Sequence, residues 1–434
     1  MPNFLDPIYL IVAAITAPWW ARKARGGWPE RFGKIEPLRD GTRKRLMLHA
    51  VSVGEVNALR HLVPLLTPHC DVLVTASTDT GLKRATELYS STCDVRRYPL
   101  DASWAVRRFL DATRPDAVAL VELELWPNFV AACRTRGIPI GVINGRLSER
   151  SFKGYRKIKR FIGRSFASLD FAAVQDTDYA LRFEAMGVHP GRCLITGSMK
   201  WDSARIEDTV AGADTLAAEM GIDRARPLIV AGSTGPDEES LLHNVCPPGA
   251  QLLCAPRRTE RFDEAARAMP GCVRRSDMRA RPGADRFLLD SIGELRMAYS
   301  LADVVVVGRS FGDLHGSDPI EPVALGKATV IGPAVSDFAR VVHELESAGG
   351  LVRASRDTLG QTLQRLLTDT EARTTLANLG RVAIRSNQGS SARHASLLLS
   401  LFDGESRRGD ESNAPRRVCP SPRNVGGTER RVAT

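Results

Sequence analysis

No two cysteines of this chain stand at CxxC spacing. The eight, at positions 70, 93, 133, 193, 246, 254, 272 and 419, are scattered through 434 residues. Several fall inside apolar runs, which argues for buried thiols in a reducing compartment and against a disulfide or zinc scaffold. GxGxxG and the Walker loop are both absent, so a dinucleotide enzyme or an NTPase is disfavoured. No cluster of His, Cys and carboxylates has metal-ligand spacing, and the expected site uses neither metal nor cofactor. The uncharged run 7–20 is shorter than the roughly 20 residues a membrane-crossing helix needs. No small-residue cleavage site follows it, so a removed signal peptide is not expected.

What is present has ordinary globular proportions, 43% hydrophobic and 25% charged. The length exceeds what one core usually holds, so two domains with tails are expected. A formal charge of +10 implies an anionic partner, either a phosphate-bearing small molecule or a membrane surface. Nucleic acid is not the expected partner, because no recognition motif accompanies the charge. The run 7–20 ends in Trp19-Trp20 and is followed by Arg22, Lys23 and Arg25. That pattern suits an interfacial anchor on a cytoplasmic membrane face, or equally a helix packed on the first domain.

Strand-like apolar runs alternate with helical patterns throughout. Strands are expected near 46–51, 72–76, 117–123, 140–143, 171–175 and 193–197. In the second half they fall near 227–233, 251–255, 286–290, 303–308, 328–332 and 350–353. The expected class is α/β, two Rossmann-like doubly wound parallel sheets, one per lobe, facing across a cleft. The divisions are 1–25 as an apolar and basic membrane-anchor segment, 26–205 as a first Rossmann-like domain and 206–226 as a linker. Residues 227–403 make a second Rossmann-like domain, and 404–434 a polar, disordered tail.

The carboxyl ends of these strands carry the chemistry, where open parallel sheets bind their ligands. Ser52-Val-Gly54-Glu55 follows the first strand and starts a helix. Spacing alone favours capping, because an acid in the first turn suits the helix dipole. Position at the cleft edge, among small residues, favours catalysis. Glu122 and Glu124 end a very apolar strand, and strict alternation puts both on one face, where they bind donors or perturb each other. A structural salt bridge from one of them to Arg146 or Arg150 is an equal alternative. Asn144 and Arg146 end the next strand. Beyond them Lys153 to Arg164 interleave with Phe152, Tyr155, Ile158, Phe161 and Ile162, as a lipid-facing basic segment or a solvated helix face.

In the second half Gly232-Ser233-Thr234, Pro256-Arg257-Arg258, Gly293-Glu294, Gly308-Arg309-Ser310 and Asp318 to Glu321 all follow strands. Together they suit a nucleotide, with backbone amides and fixed positive charge receiving phosphate. Asp176-Thr-Asp178 resembles a metal-binding DxD, but its place between strand and helix favours N-capping.

A set of motifs in order carries a resemblance. WPERFG at 28–33, HAVSVGE at 49–55, ELELWPN at 122–128, NGRLSERS at 144–151 and TGSMKWD at 196–202 are followed by PRRTERF, DSIGEL and SDPIEPVALGKATVIGP. Over roughly residues 1–400 the chain resembles the 3-deoxy-D-manno-octulosonic acid (Kdo) transferase family. The resemblance implies an inverting, metal-independent glycosyltransferase of GT-B type on the cytoplasmic face of the cell inner membrane, with 26–205 as its acceptor-binding domain and 227–403 as its nucleotide-sugar-binding domain. It would move Kdo from CMP-Kdo to the 6′-hydroxyl of a lipid A precursor. Glu55 matches the family's base. Ser52, Glu124, Asn144, Arg146 and Lys200 would face acceptor or cleft. Arg257 would hold the CMP phosphate, 290–295 the cytidine and Glu321 the ribose, with Ser233, Pro256, Arg258, Ser310 and Asp318 completing the donor side.

The chain departs from the family where Gly-Gly-His-Asn is usual and it reads His315-Gly316-Ser317-Asp318. It departs again where Gly-Gly-Ser is usual and it reads Gly308-Arg309-Ser310. An added carboxylate beside an anionic donor repels it by roughly 1–4 kcal/mol at surface-like dielectric, which Arg258 and Arg309 would offset. The alternatives are a transferase using another activated sugar or acceptor, and a lipid-binding homologue without turnover.

Overall fold

The computed structural model describes residues 26–402 apart from 278–280 and 282. The expected anchor at 1–25 and tail at 404–434 lie outside the described residues. Two seven-stranded parallel sheets organise the rest. The first contains β1 (Arg45–Ala50), β2 (Asp71–Ala76), β3 (Asp94–Arg97), β4 (Ala117–Val121), β5 (Ile140–Gly145), β6 (Phe171–Val174) and β7 (Cys193–Ile195). Its order is β3-β2-β1-β4-β5-β6-β7. The second contains β8 (Leu228–Thr234), β9 (Gln251–Pro256), β10 (Val273–Arg274), β11 (Arg286–Leu288), β12 (Val304–Val307), β13 (Ala328–Ile331) and β14 (Val352–Arg353). Its order is β10-β11-β9-β8-β12-β13-β14.

The sequence explains why both faces of each sheet are covered. In β1, Leu46, Leu48 and Ala50 enter one core with Val56 and Leu59, while Met47 enters the opposite core with Phe109 and Phe129. In β12, Val305 and Val307 face one layer, Val304 and Val306 the other. A parallel strand must bury both faces, so it reads as an unbroken apolar run. The two strands absent from the expectation, β3 and β10, are edge strands and hold Arg96, Arg97 and Arg274.

The strand order switches between β1 and β4 in the first sheet and between β8 and β12 in the second, where β10 and β11 also exchange places at the edge. At these switch points the neighbouring connections leave in opposite directions and open a crevice.

Two expected boundaries differ in the structure. Residues 206–226 contain the helix Ala213–Met220, whose Ala213, Leu216, Ala217 and Met220 pack into the second lobe's core. The segment is therefore part of that lobe rather than a free linker. The last helix, Ser390–Ser400, leaves the second lobe and buries Ala395 and Leu398 in the core of the first. The two crossings are stapled together. Gln388 Nε2 donates to Trp201 O at 3.2 Å and Ala204 O at 2.8 Å, and Asp202 accepts from Gly389 N at 2.6 Å and Ser391 N at 2.5 Å.

Candidate active site

The first switch point gathers three carboxylates. Ser52 caps the helix Val53–Ala58, and Glu55 answers: its Oε1 accepts from Ser52 Oγ at 2.8 Å and its Oε2 from Val51 N at 2.8 Å. This is the reciprocal capping arrangement, so the capping function is real. Each carboxylate oxygen retains a further lone pair for a substrate donor. The strand β4 stops at Val121, and Glu122 turns the chain with φ 60°. Alternation along a strand therefore does not set Glu122 and Glu124 side by side; a turn does. Burial, and then the neighbouring Glu55 charge, push the Glu122 carboxyl up, with Arg146 and Lys200 opposing. Burial and Glu55 push Glu124 up to about 7, against a hydrogen bond from Trp126 Nε1 at 3.0 Å. Glu122 and Glu124, held beside the Glu55 charge, attract a proton or a donor from substrate.

Asn144 does not face the cleft as expected. It is 1% exposed, has φ 51°, and gives its N–H to His394 Nε2 at 2.8 Å. Its Oδ1 accepts from Met199 N at 3.2 Å, which fixes the turn Met199–Ser203. That turn carries the exposed Lys200, whose ammonium acts on Glu122 of the first lobe and on Asp318 of the second. Asp176 caps its helix by accepting from Tyr179 N at 2.6 Å and also pairs with Arg340 of the second lobe. Its carboxylate is an inter-lobe contact, which displaces the DxD metal reading.

The second switch point opens into a cavity of about 370 Å³. Ser233 and Arg309 come from the ends of β8 and β12, with φ 58° and 59°; Arg257 follows β9, and Asp318 and Glu321 flank the start of the helix Ile320–Ala324. Ser203, Ala204 and Phe338 close it from the lobe junction. Gly232 is required at the floor, because a Cβ there would collide with the Tyr299 hydroxyl. No ion pair engages the Arg257 guanidinium among the described residues, leaving its charge for a ligand. Asp318 is open to water yet walled by protein. That enclosure pushes its carboxyl up, and Glu321 adds to the rise while the Ile320 N–H and Lys200 oppose it.

Four expected donor residues lie elsewhere. Pro256, Arg258 and Gly293 do not line the cavity, and Glu294 is tied to Arg275 at 3.1 Å and to Ser291. Ser310 is also spent, since its hydroxyl donates to Val307 O at 2.6 Å and accepts from Gly332 N at 2.8 Å. The turn Gly308–Phe311 is not an open anion cradle either: the carboxylate of Glu238 already accepts the amides of Arg309, Ser310 and Phe311, and Gly308 N donates to Gly232 O. Sequence reading passed over Glu238, Tyr299 and Arg296, the last pairing with Glu321 at 3.4 Å. An acidic pair opening a helix reads as simple capping, and no local pattern reveals a carboxylate reaching another strand end.

The family model for 3-deoxy-D-manno-octulosonic-acid transferase (kdotransferase) matches residues 26–203. Over 385 residues the chain is 30% identical to the 3-deoxy-D-manno-octulosonic acid transferase of Haemophilus influenzae, covering 85% of this chain and 90% of that protein. The Bordetella pertussis protein of the same name is 31% identical over 408 residues, covering 87% and 93%. Among solved structures, a glycosyltransferase from Rickettsia africae superposes with TM-score 0.56 at 8% identity, over 84% of this chain and 100% of that one. The MurG protein of Acinetobacter baumannii gives 0.53 at 16%, over 82% and 99%. At such identities these two likenesses show the fold alone, the two-lobed GT-B arrangement.

Proposed function

The chain belongs to the 3-deoxy-D-manno-octulosonic acid transferase family, and we infer that it moves Kdo from CMP-Kdo to a hydroxyl of a lipid A precursor in lipopolysaccharide biosynthesis. It is a glycosyltransferase. The observation that carries the finer reading is the pairing of two switch-point sites, carboxylates on one and a cation-lined cavity on the other, with Lys200 acting on both.

In this reading the donor occupies the cavity of the second lobe, its phosphate on Arg257 and Arg309 and its ribose hydroxyls on Glu321. The acceptor hydroxyl attacks the anomeric carbon from the first-lobe side, and Glu55 takes its proton. The bond from that carbon to the CMP oxygen breaks, and the electron pair leaves with CMP. Lys200 and the two arginines receive the growing charge, and attack from the opposite side inverts the anomeric centre. No step calls on a metal.

The acceptor is amphiphilic, and the exposed surface beside the carboxylates suits it. Phe161 of the helix Lys159–Ala167 and Ile158, between that helix and Glu149–Lys157, are 58% and 45% exposed among lysines and arginines. Such a surface docks on an anionic leaflet, with the cytoplasmic face of the inner membrane as its place. A second reading, another activated sugar as donor, draws on the Asp318 carboxylate in the cavity, which repels an acidic one. Purified full-length protein with CMP-Kdo and lipid IVA tests both. Mass spectrometry should find lipid carrying added Kdo; product only with a different activated sugar favours the second reading, and no product with any removes both.

A further inference from the structure

Glu238 and Glu239 open the helix Glu238–Val245 directly after the first turn of the donor cavity, and both are buried. Glu239 has conventional partners, Arg261 at 2.9 Å and the Thr234 hydroxyl at 2.6 Å. Glu238 pairs with no cation among the described residues. Its Oε2 accepts from Gly235 N at 2.8 Å and Arg309 N at 2.7 Å. Its Oε1 accepts from Ser310 N at 2.9 Å and Phe311 N at 3.0 Å. A carboxylate taken from water needs replacement donors, and four backbone amides supply them. They come from two turns, one after β8 and one after β12, on either side of the switch point.

Each of those turns presents a cavity-lining residue in a left-handed backbone, Ser233 and Arg309. Side chains other than glycine hold that conformation only where the surroundings impose it. The tie between the turns is such an imposition. It also consumes the amides that would otherwise cradle an anion.

We propose that Glu238 is a positioning residue for the donor: its carboxylate clamps the two strand-end turns, so the donor phosphate meets side-chain cations and not the amides of Gly308–Phe311. The proposal rests on reading the cavity as the donor site, and its test separates the two. Glu238→Gln keeps the shape but offers one acceptor oxygen and an NH2 group that opposes backbone donors, so Ser310 and Phe311 lose their acceptor in one orientation and Gly235 and Arg309 lose theirs in the other. In the full-length protein without donor, amide exchange across 308–311 should accelerate about tenfold, the loss of one charge-assisted hydrogen bond. Unchanged protection there overturns the clamp, whatever the donor.

With CMP-Kdo and lipid IVA, the donor KM should rise about tenfold while the acceptor KM stays within about twofold. An equal rise in both, or a fall in kcat alone, overturns the positioning role. In an Arg309→Ala background Glu238→Gln should raise the donor KM by less than about threefold, because coupled residues are not additive. Full additivity contradicts action through Arg309. Should Glu238→Gln fail to fold, Glu238→Asp, which keeps the charge but cannot span both turns, should give the same selective rise in donor KM, and an unaltered value overturns the proposal. If the wild type does not use CMP-Kdo, the donor reading fails while the exchange result still decides the clamp.

Discussion

Arg309 holds φ 59°, a conformation glycine adopts without a Cβ penalty. Arg309→Gly should therefore raise stability by about 1 kcal/mol while weakening donor binding. Denaturant midpoints and the donor KM should move in these opposite senses. Glu124 yields a pH prediction. Its folded value of about 7 lies above the ordinary 4.5, so its contribution to stability is complete below 4.5 and is lost as pH climbs through 7. Glu124→Gln should be more stable than wild type at pH 8 and gain nothing at pH 4, read from melting temperatures across that range. Residues after strand ends were legible in the sequence because topology alone brings them to the crevice, Glu55, Arg257 and Glu321 among them, whereas Lys200 came only with the family resemblance. Asn144, Ser310 and Glu238 were not. Their hydrogen bonds join distant segments, such as Glu238 to Arg309 across 71 positions, and no spacing rule encodes such a reach.

Among elements, the central strands could be read from unbroken apolar runs, whereas β3 and β10 were hidden by edge positions that tolerate arginine. The destination of the last helix was equally hidden, because an amphipathic pattern says which face is buried but not against what. Ser390–Ser400 docks on the first lobe through His394. That ring donates from Nδ1 to Ser390 O at 2.7 Å and accepts the Asn144 N–H on Nε2 at 2.8 Å, so it must be neutral. Burial lowers its value to about 4 from 6.5. Its contribution is full above 6.5 and is lost as pH falls toward 4, since the unfolded chain then binds the extra proton. His394→Ala should destabilise the protein by about 1–3 kcal/mol by leaving the Asn144 amide without its partner. It should also flatten the stability profile between pH 6.5 and 4, which thermal melts at each pH check.

At the scale of the molecule, two lobes meet at a stapled double crossing and again through Asp176 and Arg340. Arg340→Ala should loosen the second contact and enlarge the donor-free radius of gyration in solution scattering, with CMP-Kdo restoring the wild-type value. In the proposed reading a carboxylate of one lobe activates an acceptor that attacks a donor held by the other. Glu55→Gln tests that most directly, because it removes the proton acceptor and leaves the opposite cavity untouched. Product formation from CMP-Kdo and lipid IVA, with CMP-Kdo affinity measured on the same protein, should show turnover reduced by about 10²–10⁴ and affinity retained. Turnover equal to wild type would contradict the account.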